Sequence, residues 1–166
     1  MDSFFIFIER GAFSTFLRES PSIFVFPTML IFHTVGMGFL AGTNIAIDLR
    51  LLGFASGMRI GPMQKFYPVM WAGFVMNAVS GILLLIAYPT KALTNWVFYV
   101  KLAAITIAMI EMWMIKRRVF DDPFVDKNPV GRNVRRLAAT SLVLWLGAIT
   151  AGRLLAYTYA TLMTPE

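Results

Sequence analysis

Four stretches of the chain are long and apolar enough to cross a bilayer, and that constrains this sequence more than any other feature. A spanning helix needs about 20 mainly apolar residues. Stretches of that kind run over 22–47, 66–88, 96–115 and 137–163. Backbone polar groups in hydrocarbon must be satisfied within their own segment, so spans of this length are helical. The expected fold is all-α: an integral membrane four-helix bundle formed by a single domain over 21–166. Composition agrees, with 58% of residues hydrophobic and 14% charged, whereas a soluble domain carries nearer a quarter charged.

Local signals refine the spans. Pro21 and Pro27 lie near the start of the first, where a missing backbone donor costs little, and Pro68 and Pro89 bracket the second. Asn95 is placed to cap the third, and Trp96, Tyr99, Trp113 and Tyr157 suit the interfacial belts. The first 20 residues are too mixed to span. Phe5, Ile8, Ala12 and Phe16 share a helical face, which predicts a short amphipathic helix lying on the membrane surface. The segment begins with Asp2 instead of a basic region, so it does not read as a cleaved signal peptide.

The net charge of +6 is concentrated in two loops. Arg50, Arg59 and Lys65 follow the first span, and Lys116, Arg117, Arg118, Lys127, Arg132, Arg135 and Arg136 follow the third. Only Lys91 separates the second from the third. Under the positive-inside rule both basic loops are cytoplasmic and both termini periplasmic, in a bacterial inner membrane. This distribution reads as a topology signal and gives no reason to expect a nucleic-acid partner. The expected surroundings are lipid, with other membrane subunits or a second copy of the chain as candidate partners.

The absence of cysteine excludes thiolate metal sites and thiol nucleophiles. A single histidine, His33, excludes multi-histidine zinc and two-heme sites within one chain. No phosphate loop, catalytic carboxylate pair or nucleophile–base arrangement is evident. What remains is a small set of polar groups inside the spans, where such residues are costly and face the bundle interior or water. His33 lies roughly 15 Å from the outer end of span one, with Gly36, Met37, Leu40 and Asn44 on the same face. Asn77 and Ser80 mark a face of span two together with Gly73 and Gly81. Lys101 and Arg153 fall in the outer halves of spans three and four.

Three basic side chains at one depth with no carboxylate beside them call for an anion, water or lipid headgroups. Heme b fits that pattern: His33 is the candidate metal ligand, and Lys101 and Arg153 would hold the propionates, with Asn77 nearby. Other readings stand beside it. Lys101 suits snorkelling to the outer headgroups, Arg153 a lipid phosphate, and His33 a hydrogen bond to Asn77 or Ser80. Asp48 and Glu111, nearer the cytoplasm, are expected to pair with Arg50 and Lys116. Gly38 and Gly42 form a small-xxx-small pair opposite His33, suited to a close helix contact within the bundle or between protomers.

The stretch His33-Thr-Val-Gly-Met-Gly-Phe-Leu-Ala-Gly, followed by Asp48-Leu-Arg-Leu-Leu-Gly53, resembles a bacterial family of small multi-helix inner-membrane proteins without an established activity. The likeness continues through Pro68, Ser80-Gly81 and Lys101. The histidine of span one and lysine of span three also look like the membrane protoporphyrinogen oxidase family, and more faintly the copper-resistance membrane proteins. In the former the pair handles heme or its precursor, a role His33 and Lys101 would inherit; the sequence lacks that family's second histidine. The expectation is therefore a heme-binding protein of electron transfer. The alternatives are an accessory subunit of a larger membrane complex and a porphyrinogen-oxidising enzyme.

Overall fold

The computed structural model describes residues 11–19, 24–127 and 129–162, all of them helix, turn or irregular chain without a strand. In order, the α-helices are α1 (Ala12–Glu19), α2 (Val25–Leu52), α3 (Phe66–Ala87), α4 (Pro89–Leu93), α5 (Trp96–Ile115) and α6 (Arg132–Leu162). A 3₁₀ turn, Gly61–Lys65, leads into α3, and a π-turn, Lys116–Phe120, extends α5. Four helices are long and apolar enough to cross a membrane: Val25–Leu52, Gly61–Ala87, Trp96–Phe120 and Arg132–Leu155.

Helix ends follow local chemistry. Asn95 caps α5 by accepting from the Val97 N–H at 3.0 Å, which satisfies a donor the helix leaves unpaired. Tyr88 leaves the helical region and Pro89 begins α4, so α3 stops near its expected boundary. Two spans are longer than the apolar pattern indicated. Helix α2 continues to Leu52, where Gly53 at φ 113° turns its N–H back onto the Arg50 carbonyl and lets Phe54 N–H reach Leu49. That left-handed position suits glycine and ends the helix where hydrophobicity alone placed no stop. Helix α6 begins at Arg132, because Arg132–Arg136 is polar yet contains no helix breaker after Gly131.

Helix α2 packs chiefly on α3 and α6, and α5 on α6. The α2–α3 contact is close because Gly36 and Gly73 face each other. A Cβ at Gly36 would lie 2.7 Å from the Asn77 nitrogen, and one at Gly73 would lie 2.7 Å from the Leu40 nitrogen. Small residues permit backbones to approach in this way. Gly38 and Gly42 take no part: a Cβ at either meets nothing within 4 Å, so their expected contact within the bundle is not formed among the described residues. The core gathers Leu40, Leu51, Met70, Ile115 and Trp145.

The exterior is also apolar, with Ile31, Val75, Ile82, Ile110 and Val143 exposed. Only 17–28% of each apolar window is buried, at mean hydropathies of 1.5–2.1. Water would not tolerate apolar faces of that extent, whereas lipid tails solvate them. Helix α1 rests on the ends of α2 and α3. Its Ser14 hydroxyl donates to the Ile86 carbonyl at 2.9 Å, and Leu17 packs with Met29 and Ala87. Phe13 and Phe16 face outward. Phe5, Ile8, Pro21 and the ends of the first and last apolar stretches, at 22 and 163, lie outside the described residues.

Candidate functional site

All four long helices meet around His33. Its backbone carbonyl accepts from Asn77 Nδ2 at 2.8 Å, which ties α2 to α3 one turn beyond the Gly36–Gly73 approach. The Ser80 hydroxyl donates to the Met76 carbonyl at 2.7 Å, with the Asn77 carbonyl a further acceptor at 3.1 Å. With its proton so committed, the Ser80 oxygen accepts from His33 Nδ1, 3.1 Å away. Asn77 Nδ2 is more distant from that nitrogen, at 3.5 Å. The network therefore assigns the imidazole proton to Nδ1 and the lone pair to Nε2.

Lys101 reaches that lone pair from α5, its Nζ 3.4 Å from Nε2. Its stem crosses α6 at Gly152, where a Cβ would sit 3.7–3.9 Å from Cε, Nζ and Cδ. On the other side a Cβ at Gly81 would come within 3.3 Å of His33 Cε1. Gly81 thus leaves room for the imidazole, while a Cβ at Gly152 would make only ordinary contact with the lysine stem. Gly81 was legible on the polar face of the second span. Gly152 was not, since a glycine beside an arginine carries no periodic signal.

The structure brings His33, Asn77 and Lys101 together and leaves Arg153 apart. Arg153 is exposed, and among the described residues no hydrogen bond or ion pair joins it to the pair. Adjacent positions on a helix point about 100° apart, so Gly152 faces Lys101 while Arg153 faces outward. Among the described residues no group of three or more histidines or carboxylates gathers to hold a metal ion. A metal at this site would have His33 as its nitrogen ligand from the chain.

Nearer the other end of the bundle, the expected pairings of Asp48 and Glu111 are not formed. Asp48 Oδ2 accepts from Ser141 Oγ on α6 at 2.6 Å. Arg50 donates instead to the Met58 and Ser56 carbonyls, at 2.6 and 3.2 Å. Residues two apart on a helix do not face each other, so Asp48 can be buried only if Arg50 points elsewhere. Glu111 Oε1 accepts from Thr140 at 2.8 Å, while Lys116 lies over the Tyr67 ring, 5.5 Å from its centroid. Between the two polar levels, Asn44 Nδ2 donates to the Leu40 carbonyl and to Met70 Sδ, both at 2.8 Å.

The fold and these interior polar groups define a helical protein with four candidate membrane spans and a histidine–lysine pair inside the bundle. No family model matches the chain, and neither a curated protein nor a solved structure matches it.

Proposed function

We propose that this chain is a bacterial inner-membrane protein, with both termini periplasmic, that binds a b-type heme in the outer half of the bundle and serves electron transfer. The observation that carries the reading is the orientation of His33. A hydrogen bond from Nδ1 to a fixed oxygen is the arrangement that directs Nε2 of a ligating histidine toward its metal, and Ser80 supplies it at 3.1 Å. The cation beside Nε2 is the second requirement. Ligation requires Lys101 to give up its 3.4 Å contact, which releases an ammonium for a carboxylate at the same depth.

Bound heme would supply a one-electron couple. The chain's own part is to orient Nε2 through Ser80, to offer Lys101 to a propionate and to keep the site within apolar walls. Arg153, on the outer surface of α6, is left for a second carboxylate or a lipid headgroup. A porphyrinogen oxidase would use the same pair on a precursor.

A competing reading has one observation in its favour. Lys101 and His33 already satisfy each other, as a packing contact would, and an accessory subunit needs no more. Purification from a native membrane and an optical spectrum separate the two. Soret absorbance that disappears in His33→Ala supports heme binding. No absorbance as isolated, and none after heme addition, leaves the pair as packing and the accessory subunit in front.

A further inference from the structure

The cytoplasmic half of the bundle holds a second polar cluster that heme binding at His33 does not use. Asp48 is only 1% exposed, among the most buried side chains in the molecule. Its surroundings come from each of the other long helices. Ser141 on α6 donates to Oδ2, and Tyr67 on α3 and Glu111 on α5 lie within electrostatic reach.

Two observations show that this cluster is incomplete. Tyr67 is 4% exposed, yet its hydroxyl has no hydrogen-bond partner. Glu111 Oε2 is buried and likewise lacks one. Buried polar atoms are ordinarily hydrogen-bonded, so these two call for a partner from outside the chain.

The charged groups around Asp48 do not neutralise it. Arg50, on its own helix, is turned to the loop carbonyls. Lys116 lies on the Tyr67 ring. Asp121 lies within electrostatic reach of Tyr67 and adds negative charge. A carboxylate buried as deeply as Asp48 needs a cation or a proton to offset its charge in a low-dielectric interior. The cation that completes such a site with least space is the proton, since a metal ion needs a fuller oxygen cage.

We propose that Asp48, with Glu111, Tyr67 and Ser141 around it, is a proton-binding site exchanging with the cytoplasm. A hydronium of cytoplasmic water gives up its proton, an O–H bond forms on the Asp48 carboxylate, and water is left behind. The new O–H donates to an oxygen of the cluster, for which the Ser141 hydroxyl, 2.6 Å from Oδ2, is placed. Glu111, half-buried and one turn from the basic loop, is the entry group. Release reverses the same bonds. The site stands independently of any ligand at His33.

Infrared difference spectroscopy on the full chain in lipid vesicles tests this. Acid titration should produce a C=O stretching band of a protonated carboxylic acid that bleaches reversibly as pH rises. Asp48→Asn should remove it. Ser141→Ala should shift it to higher frequency through loss of the hydrogen bond, which keeps the test open if Asp48→Asn fails to fold. Glu111→Gln should slow its appearance without removing it. A band unchanged in Asp48→Asn, no such band at any pH, or one abolished by sodium at constant pH would each overturn the proposal, the last in favour of a metal-cation site.

Discussion

Lys101 Nζ lies 3.4 Å from His33 Nε2, although the two residues sit on α5 and α2, helices that each pack more closely on α6 than on one another. The lysine stem passes α6 beside Gly152, and Ser80 turns the imidazole toward it. A side chain with this much rotamer freedom is held across a bundle only where its end group finds a partner. Any ligand that takes Nε2 must therefore displace the lysine, so binding and packing compete for the same atom.

Heme retention should depend on both residues, unequally. His33→Ala should abolish the Soret band, while Lys101→Ala should leave a band but raise the apparent Kd for added heme about tenfold, the scale of one charge-assisted hydrogen bond of ~1.5 kcal/mol. Titration of the purified variants with heme reads both numbers. Equal loss in the two variants would place Lys101 in the fold instead of at the ligand.

Gly36 and Gly73 should not accept a methyl group. A Cβ at either would press on backbone atoms at 2.7 Å, so Gly36→Ala and Gly73→Ala should each destabilise by about 1–3 kcal/mol through overpacking. Gly38→Ala and Gly42→Ala meet open space and should change monomer stability by less than about 0.5 kcal/mol. Thermal unfolding in detergent distinguishes the pairs, and a large effect at Gly38 or Gly42 would point to a contact between protomers.

Orientation is tested by cysteine labelling. Single cysteines at Thr94 and Lys127 fall on opposite ends of the bundle, and the orientation proposed from the excess of basic residues would put Lys127 inside. A membrane-impermeant thiol reagent added to intact cells should label Thr94→Cys only. Labelling of Lys127→Cys alone would invert the topology, and equal labelling of both would sink the four-span arrangement.

Asp126 should pin the basic loops to each other in a pH-dependent way. Its Oδ1 accepts from Gly61 N–H at 3.1 Å and Ile60 N–H at 2.6 Å, and its Oδ2 faces Arg59 at 3.4 Å. These contacts, the Gly61 amide foremost, hold the carboxyl below its ordinary range. Such a group contributes stability above its unfolded pKa of about 3.9 and loses it as pH falls through the lower folded value. Hydrogen exchange at the Ile60 and Gly61 amides should accelerate in that acid window, and in Asp126→Asn at neutral pH. Unchanged exchange in Asp126→Asn would show that the turn holds itself.

Much of this protein was determined by one-dimensional patterning. The four spans, the Asn95 cap and the polar face carrying Asn77, Ser80 and Gly81 follow from hydropathy and helical periodicity, because in lipid each helix satisfies its own backbone and is stable before it packs. Azimuth and depth on the first span likewise put His33 with Gly36 and Leu40. Only the tertiary structure decided which interior groups meet. The reach of Lys101 past Gly152, the outward turn of Arg153, the choice of Ser141 over Arg50 for Asp48 and the idle Gly38–Gly42 pair all depend on the rotation of each helix about its axis. That rotation is fixed by close approaches such as Gly36 against Gly73, between residues 37 positions apart, and no local sequence window contains both partners.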